Sequence, residues 1–254
     1  MSPTSTKELE LYQKQDTEEF DTSPSMPLSR HLEELRKKII ISFTSFSVAS
    51  VLGFYFSRDF ISILTNLAPS DTIFLQIKPG EFFFTAMRIA VFLGVLLSSP
   101  VIIWQLGSFI FPGLNQKERK MIMPAVAAAP ALFVLGCAFA YFFVAPSMLN
   151  FLFGFGKDII STSISIESYI SFTIMIMAIC GFSFLIPILI LGCANVGLIN
   201  SKSLIRSWRY VILASVISGA VLTPTPDPFN MSIVSGILIG LYLISYGILC
   251  VMRR

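Results

Sequence analysis

Between two long apolar runs lies FPGLNQKERKM, Phe111 to Met121, in which Lys117, Glu118, Arg119 and Lys120 occupy four consecutive positions. One acid inside a basic block either trims the local charge or is there to meet a positive partner. A second charged stretch, His31-Leu32-Glu33-Glu34-Leu35-Arg36-Lys37-Lys38, precedes the first apolar run. As a helix it pairs Glu33 with Lys37 and Glu34 with Lys38 at four-residue spacing, each worth about 0.2–0.5 kcal/mol. An interfacial helix with ordinary surface pairs accounts for that spacing without a ligand. Reactive chemistry is otherwise scarce. His31 is the only histidine, which argues against a zinc site or a histidine-based triad. There is no GxSxG, HExxH or Walker A pattern. Cys137, Cys180, Cys193 and Cys250 all fall inside apolar runs without CxxC spacing and read as small buried hydrophobes.

These charged segments flank something larger. Of the 254 residues, 54% are hydrophobic and 13% charged, at a mean hydropathy of +0.77, against about 25% charged in an average soluble domain. The chain reads as an all-α integral membrane protein, and its net charge of +3 says less than where the charges stand. A hydrocarbon core of about 30 Å takes about 20 apolar residues per helix. Six runs are candidates: Ile39–Phe56, Phe83–Leu106, Ile122–Ala145, Tyr169–Val196, Tyr210–Leu222 and Met231–Met252. The fifth is short and the sixth is interrupted by Gly236, Gly240 and Gly247, so both are expected to be short helices where the membrane is thinned or sheltered.

An even number of spans puts both termini on one side. Twelve Lys and Arg then share that side, from Arg30 and Arg36 through the block at Lys117 to Arg253 and Arg254, and four, Arg58, Lys78, Arg88 and Lys157, face the other. That asymmetry gives an N-in, C-in topology. Residues 1–27 carry six acids, two lysines and three prolines and read as a disordered acidic tail, unlike an Arg-rich transit peptide or a cleavable signal. Residues 28–254 read as one six-span membrane domain.

Pro100, Pro124, Pro130, Pro146 and Pro187 stand in or at the ends of spans. Each removes a backbone donor and bends or ends its helix, so together they favour a concave wall. Asp227, in the Pro-punctuated TPTPDPF of Thr223 to Phe229, is suited to accepting turn hydrogen bonds. No internal repeat marks a secondary transporter. Arg88 is the one clear intramembrane charge and can reach the trans interface by snorkelling. A proton relay needs several such charges facing one another, so transport by these helices alone is disfavoured.

Taken in order, HLEELRKK before the first span, PGEFFF at Pro79–Phe84, SSPVIIWQLGSFIFPGLNQKER at Ser98–Arg119, FAYFFVAP at Phe139–Pro146 and LTPTPDP at Leu222–Pro228 resemble the TatC family, the multispan receptor subunit of the twin-arginine protein translocase. The resemblance runs from about Pro27 to the C-terminus. PGEFFF and SWRYV at Ser207–Val211 resemble the thylakoid and cyanobacterial branch, which implies a plastid thylakoid membrane or a bacterial inner membrane. The family implies a kinked, cupped bundle of six helices, non-enzymatic and without cofactor. It implies a receptor that binds cargo signal peptides carrying an Arg-Arg pair and recruits single-span partners of the TatA/TatB type, driven by the proton gradient. Membrane lipids and further copies of the chain are expected as neighbours, nucleic acid is not. A small-solute carrier and a membrane assembly factor are the alternatives.

The resemblance also assigns residues. The family's arginine-pair glutamates fall on Glu34 and Glu118, with Glu33 as a substitute for Glu34 about 100° round the helix. A carboxylate takes a guanidinium at two points, and such charge-assisted pairs exceed neutral hydrogen bonds. Arg36 is expected to orient a carboxylate or a lipid phosphate, and Phe109 either to line the signal's apolar path or simply to pack. Pro100, Pro187, Leu185 and Asp227 are assigned to structure or partner contact. Leu185, in SFLIP at Ser183–Pro187, departs from relatives that carry Glu or Gln there to meet a polar residue of the partner helix. Leucine cannot do so, and either Ser183 or the backbone near Pro187 is expected to take over, or the translocation step differs.

Overall fold

The computed structural model describes residues 28–69, 72–113, 115–154, 163–195, 206–222 and 227–252. The expected acidic tail and the TPTP of the cap lie outside the described residues. The chain divides into two compact units, Met1–Lys37 and Lys38–Arg254. The described part of the first consists of the opening turns of helix α1, which spans Leu28–Tyr55.

The second unit carries the rest of α1 and then α2 (Ser57–Thr65), strand β1 (Ile73–Leu75), α3 (Glu81–Ile110), a single 3-10 turn (Phe111–Gly113), α4 (Gln116–Phe139), a π-helical segment (Ala140–Val144), α5 (Ala145–Gly154), β2 (Ser163–Ser165), α6 (Ile166–Ser183), α7 (Ile186–Asn195), α8 (Trp208–Leu222) and α9 (Pro228–Met252). Among the described residues, five stretches are long and apolar enough to cross a membrane: Leu32–Tyr55, Glu81–Ile110, Glu118–Gly154, Ile166–Ala194 and Pro228–Cys250. The fifth expected span, α8, has 15 residues and reaches only about 22 Å, the short helix anticipated. The last helix corrects the expectation. With 25 residues α9 reaches about 37 Å, and none of its three glycines breaks it, because each keeps negative φ and simply leaves open space beside the helix.

The prolines act by different local means. Pro100 lies inside α3, and the Leu96 carbonyl that its missing N–H would have met accepts the Ser99 hydroxyl instead, at 2.8 Å. A serine side chain thus restores what the ring removes, and the helix runs on. Before Pro146 the third span widens its register, Ala145 N–H bonding the Ala140 carbonyl, a one-turn bulge that absorbs the lost donor. At Pro187 the fourth span breaks instead: α6 ends at Ser183, Phe184 and Leu185 form a turn, and α7 restarts with the proline in its first turn, where no donor is needed.

Close approach of small residues holds the spans together, as expected where lipid offers no hydrophobic drive between helices. A Cβ at Gly136 would stand 2.7 Å from the Cys180 carbonyl, and one at Gly181 2.7 Å from Cys137 Sγ, so α4 and α6 touch nearly backbone to backbone. Around this seam a buried cluster draws Leu64 from α2, Ile89 from α3, Met148 and Leu149 from α5, Tyr169 and Ile170 from α6, and Val234 from α9. Tyr169 donates its hydroxyl to the Leu64 carbonyl at 2.8 Å, which satisfies the one polar atom that this ring brings into the core.

Candidate functional site

The basic block opens α4. After α3 and the 3-10 turn, Asn115 takes an extended backbone (ψ 154) as N-cap, and Glu118 stands three residues on at N3. The two form a capping box: the Asn115 N–H donates to Glu118 Oε2 at 3.0 Å, and Asn115 Nδ2 lies 3.4 Å from Oε1. N-x-x-E before an apolar run is the sequence signature of that motif. It was present in LNQKER and answers part of the question the acid raises. Glu118 satisfies orphan N-terminal groups and sits at the positive end of a helix dipole. Capping also fixes where the carboxylate points. An ionised carboxylate has about four lone-pair positions, and the cap engages one strongly and one weakly, so the outer edge can still accept a donor.

Two cation–ring contacts lie in the segments that flank this loop. Arg119 folds back so that its guanidinium lies 5.6 Å from the centroid of Phe111, a buried ring that meets Trp104 edge-on at 6.5 Å. Phe109 is half-buried with Lys38 Nζ 5.7 Å above its ring. Two of the positive charges near the loop are therefore drawn onto aromatic faces. Lys120 is exposed.

Glu33, Glu34 and Arg36 lie in the first compact unit and Glu118 and Phe109 in the second. Within α1, Glu34 is half-buried while Glu33 and Arg36 are exposed. Glu33 and Lys37 form no ion pair among the described residues, so four-residue spacing alone did not make that contact.

Other assigned positions have plainly structural settings. Asp227 accepts the Asn230 N–H at 2.7 Å through Oδ1 and Asn230 Nδ2 at 2.7 Å through Oδ2, heading α9 as a helix-capping acid. Leu185 sits in the turn that breaks the fourth span and packs against the main buried cluster. Beside it, Phe182, Ser183, Ile186 and Ser218 help line a groove of about 370 Å³, with the Ser183 hydroxyl turned back onto the Ile179 carbonyl at 2.6 Å.

Sequence reasoning missed a second polar centre, at the other end of α3. Glu81 is only 2% exposed. Its Oε2 accepts the N–H groups of Ile77 (2.7 Å) and Lys78 (3.0 Å), and its Oε1 accepts the Glu167 N–H (3.3 Å) and the Ser165 hydroxyl. Gly80, at φ 81, makes the left-handed turn that lets the chain fold over this carboxylate. The result ties α3 to the β2–α6 junction, where β2 pairs in parallel with β1. Two turns along α3, Arg88 pairs with Glu167 at 3.3 Å and donates to Ser171 Oγ. Arg88 therefore does more than snorkel: it joins the second span to the fourth. The signal available was PGE, a glycine-turned acid opening a helix.

Comparison with known proteins follows the same line. The model of the family "Sec-independent protein translocase protein (TatC)" matches residues 30–236. The chain is 36% identical over 231 residues to the Sec-independent protein translocase protein TatC of Synechocystis sp., covering 91% of this chain and 90% of that protein. It is 38% identical over 219 residues to the chloroplastic Sec-independent protein translocase protein TATC of Oryza sativa subsp. japonica, covering 86% of this chain, and spans 61% of the length of that relative. A crystal structure of the twin-arginine translocase receptor TatC, 30% identical, superposes with a TM-score of 0.78 over 88% of this chain and 100% of that one.

Proposed function

The chain belongs to the TatC family of multispan translocase proteins, and from that premise we propose that it receives Arg-Arg signal peptides of cargo at the basic loop, with Glu118 as a direct ligand for one arginine. The observation that carries this reading is a half-buried carboxylate held by a capping box at the head of α4, with the next residue, Arg119, drawn onto the Phe111 ring. A mobile acid would lose side-chain entropy on gripping an arginine. A capped one is already placed. Glu34 supplies the second carboxylate, and Phe109 offers an apolar face to the residues that follow the arginine pair. Glu33 and Arg36 are helix neighbours that tune Glu34.

The reading extends to partners. Single-span subunits dock on the membrane-embedded faces, and the groove edged by Ser183 and Ser218 offers small hydroxyls where leucine replaces the polar residue at 185. Further copies of the chain complete a receptor complex, and the chain itself catalyses no reaction. Its membrane is a thylakoid or a bacterial inner membrane, a reading supported by its likeness to a chloroplastic and a cyanobacterial relative.

The test is direct binding of an Arg-Arg signal peptide to the full chain in micelles or nanodiscs, compared with the same peptide carrying Lys-Lys. Wild type should prefer the arginine peptide, because an ammonium cannot reproduce the planar two-point contact. Glu118→Gln keeps the capping box, since glutamine also serves at N3, while removing the charge. Equal binding by wild type and Glu118→Gln, with both folded, would reduce Glu118 to a helix cap. Solute flux through vesicles containing this chain alone would favour a carrier. Binding of mature partner subunits regardless of the arginine pair would favour an assembly factor.

A further inference from the structure

Where α1 ends and α3 begins, a groove of about 520 Å³ opens between the two helices. Its walls are Phe54 and Tyr55 at the end of α1, and Phe82, Phe83 and Ala86 in the opening turns of α3, with Phe54 and Phe83 meeting edge-on at 6.2 Å. Four of those rings are exposed, as are the neighbouring Phe56 and Phe84. These rings gather at the ends of two apolar spans, where the one amphipathic ring among them, Tyr55, suits the level of the lipid headgroups.

The floor of the groove is polar at two points, Ser57 and Arg58. Ser57 is buried and commits its hydroxyl to the Phe54 carbonyl at 2.7 Å. Arg58 is exposed, and among the described residues its guanidinium has no hydrogen bond, ion pair or ring partner. The next residue, Asp59, does not line the groove. At the same end of the spans Arg88 is already paired with Glu167. The groove thus presents one uncommitted planar cation at the foot of an apolar, aromatic-walled slot.

We propose that this groove is a binding site for a single anionic glycerolipid of the trans leaflet, its headgroup phosphate on Arg58 and the upper part of its acyl chains between Phe54, Phe82 and Phe83. Size and charge select that occupant. A volume of several hundred Å³ suits a small ligand, whereas a membrane helix is about 10 Å across with its side chains and brings no anion to the guanidinium. Arginine binds phosphate oxygens in a two-point fork, and the lipid, unlike a soluble phosphate, also covers the exposed rings. The site is independent of signal-peptide recognition, which is assigned to the opposite end of the bundle.

The experiment is native mass spectrometry of the full chain released from mild detergent, titrated with phosphatidylglycerol or with phosphatidylcholine of identical chains. One phosphatidylglycerol should be retained about five- to tenfold more tightly than phosphatidylcholine, the scale of one basic residue at a lipid surface strengthened by a direct fork. Arg58→Gln should erase that preference, and Lys78→Gln should leave it. Glycerol 1-phosphate should not compete. Preference that survives Arg58→Gln, or efficient competition by glycerol 1-phosphate, overturns the proposal. Should Arg58→Gln fail to fold, Phe83→Trp in a chain with Trp104 and Trp208 replaced by phenylalanine reports directly. Its fluorescence should be quenched more by phosphatidylglycerol with brominated chains than by the brominated choline lipid, and equal quenching overturns the site.

Discussion

Two glutamates open the helices at either end of α3, and their surroundings differ in kind. Glu81 heads α3 itself, is 2% exposed and accepts four hydrogen bonds from Ile77, Lys78, Ser165 and Glu167. Glu118 follows the other end, heads α4, and among the described residues accepts only from Asn115. The first carboxylate fills its lone pairs with its own chain and can hold nothing else. The second is fixed by one residue and keeps an open edge. Saturation, more than residue type or position in the helix, separates an acid that builds the fold from an acid that can bind.

The largest expected effect comes from breaking the saturated end. Glu81→Ala removes the acceptor for two loop N–H groups and detaches the β2–α6 junction, leaving part-buried donors without their partner. The midpoint of thermal unfolding in micelles should fall by about 5–10 °C, the shift typical of a multi-bond loss in a chain of this size. Glu81→Gln, with a single carbonyl oxygen, should recover only part of it. Arg-Arg peptide affinity of the folded fraction should not change. A stable Glu81→Ala that loses peptide affinity would mean that the two ends do not divide the roles.

At the open end the order of effects should reverse. Glu118→Ala should weaken Arg-Arg peptide binding by about 1.5–3 kcal/mol, roughly 10- to 100-fold, for a lost hydrogen bond to a charged group. It should also cost the helix the reciprocal half of its capping box, while Asn115 remains as N-cap. Glu118→Gln sharpens the division, because the cap persists while affinity falls. Lys120→Ala should change binding much less. Glu34→Ala should resemble Glu118→Ala, and the double variant should lose less than the sum if both acids serve one recognition event. Calorimetry of peptide binding beside thermal unfolding separates the two quantities.

How much of this was legible in the sequence differs along the chain. The spans were, because about twenty consecutive apolar residues have few alternatives to a helix in lipid. The short α8 was too. The length of α9 is not legible, because Gly236, Gly240 and Gly247 look like breaks in sequence whereas a membrane helix tolerates glycine when its φ stays negative. Glu118 was singled out for its charge contrast, yet its cap was overlooked although Asn115 stands at the right spacing. The trans cluster was not legible in detail: Glu81 lies more than 80 residues from Ser165 and Glu167 in sequence, and only the fold brings them together. PGEFFF served as a family mark while its glutamate went unexamined.

A third polar balance lies between the ends, where Leu185 packs against the core at the break in the fourth span. Leu185→Gln places an amide beside the groove edged by Ser183 and Ser218. Because the leucine is half-buried, its replacement should cost about 1–2 kcal/mol, a mid-range value for a core edge. Association with single-span subunits, measured by co-purification, should stay level or rise. Loss of folding would show that the groove cannot satisfy the amide and that the leucine is needed for packing alone.

The smallest effect is expected at Arg88 and Glu167, and it tests how far saturation extends on the trans side. The pair stands at 3.3 Å, but its side chains are 46% and 30% exposed, so solvent screens the attraction and holding two long side chains offsets part of it. A double-mutant cycle with Arg88→Met and Glu167→Gln should give a coupling of about 0.2–1 kcal/mol, the range of exposed pairs. Glu167 contributes its backbone N–H to Glu81 whatever its side chain, so Glu167→Gln should leave that carboxylate in place. Added salt should reduce the coupling. A coupling several-fold larger and insensitive to salt would mean that the pair is shielded by lipid, and the trans end would then owe its rigidity to Arg88 as much as to Glu81.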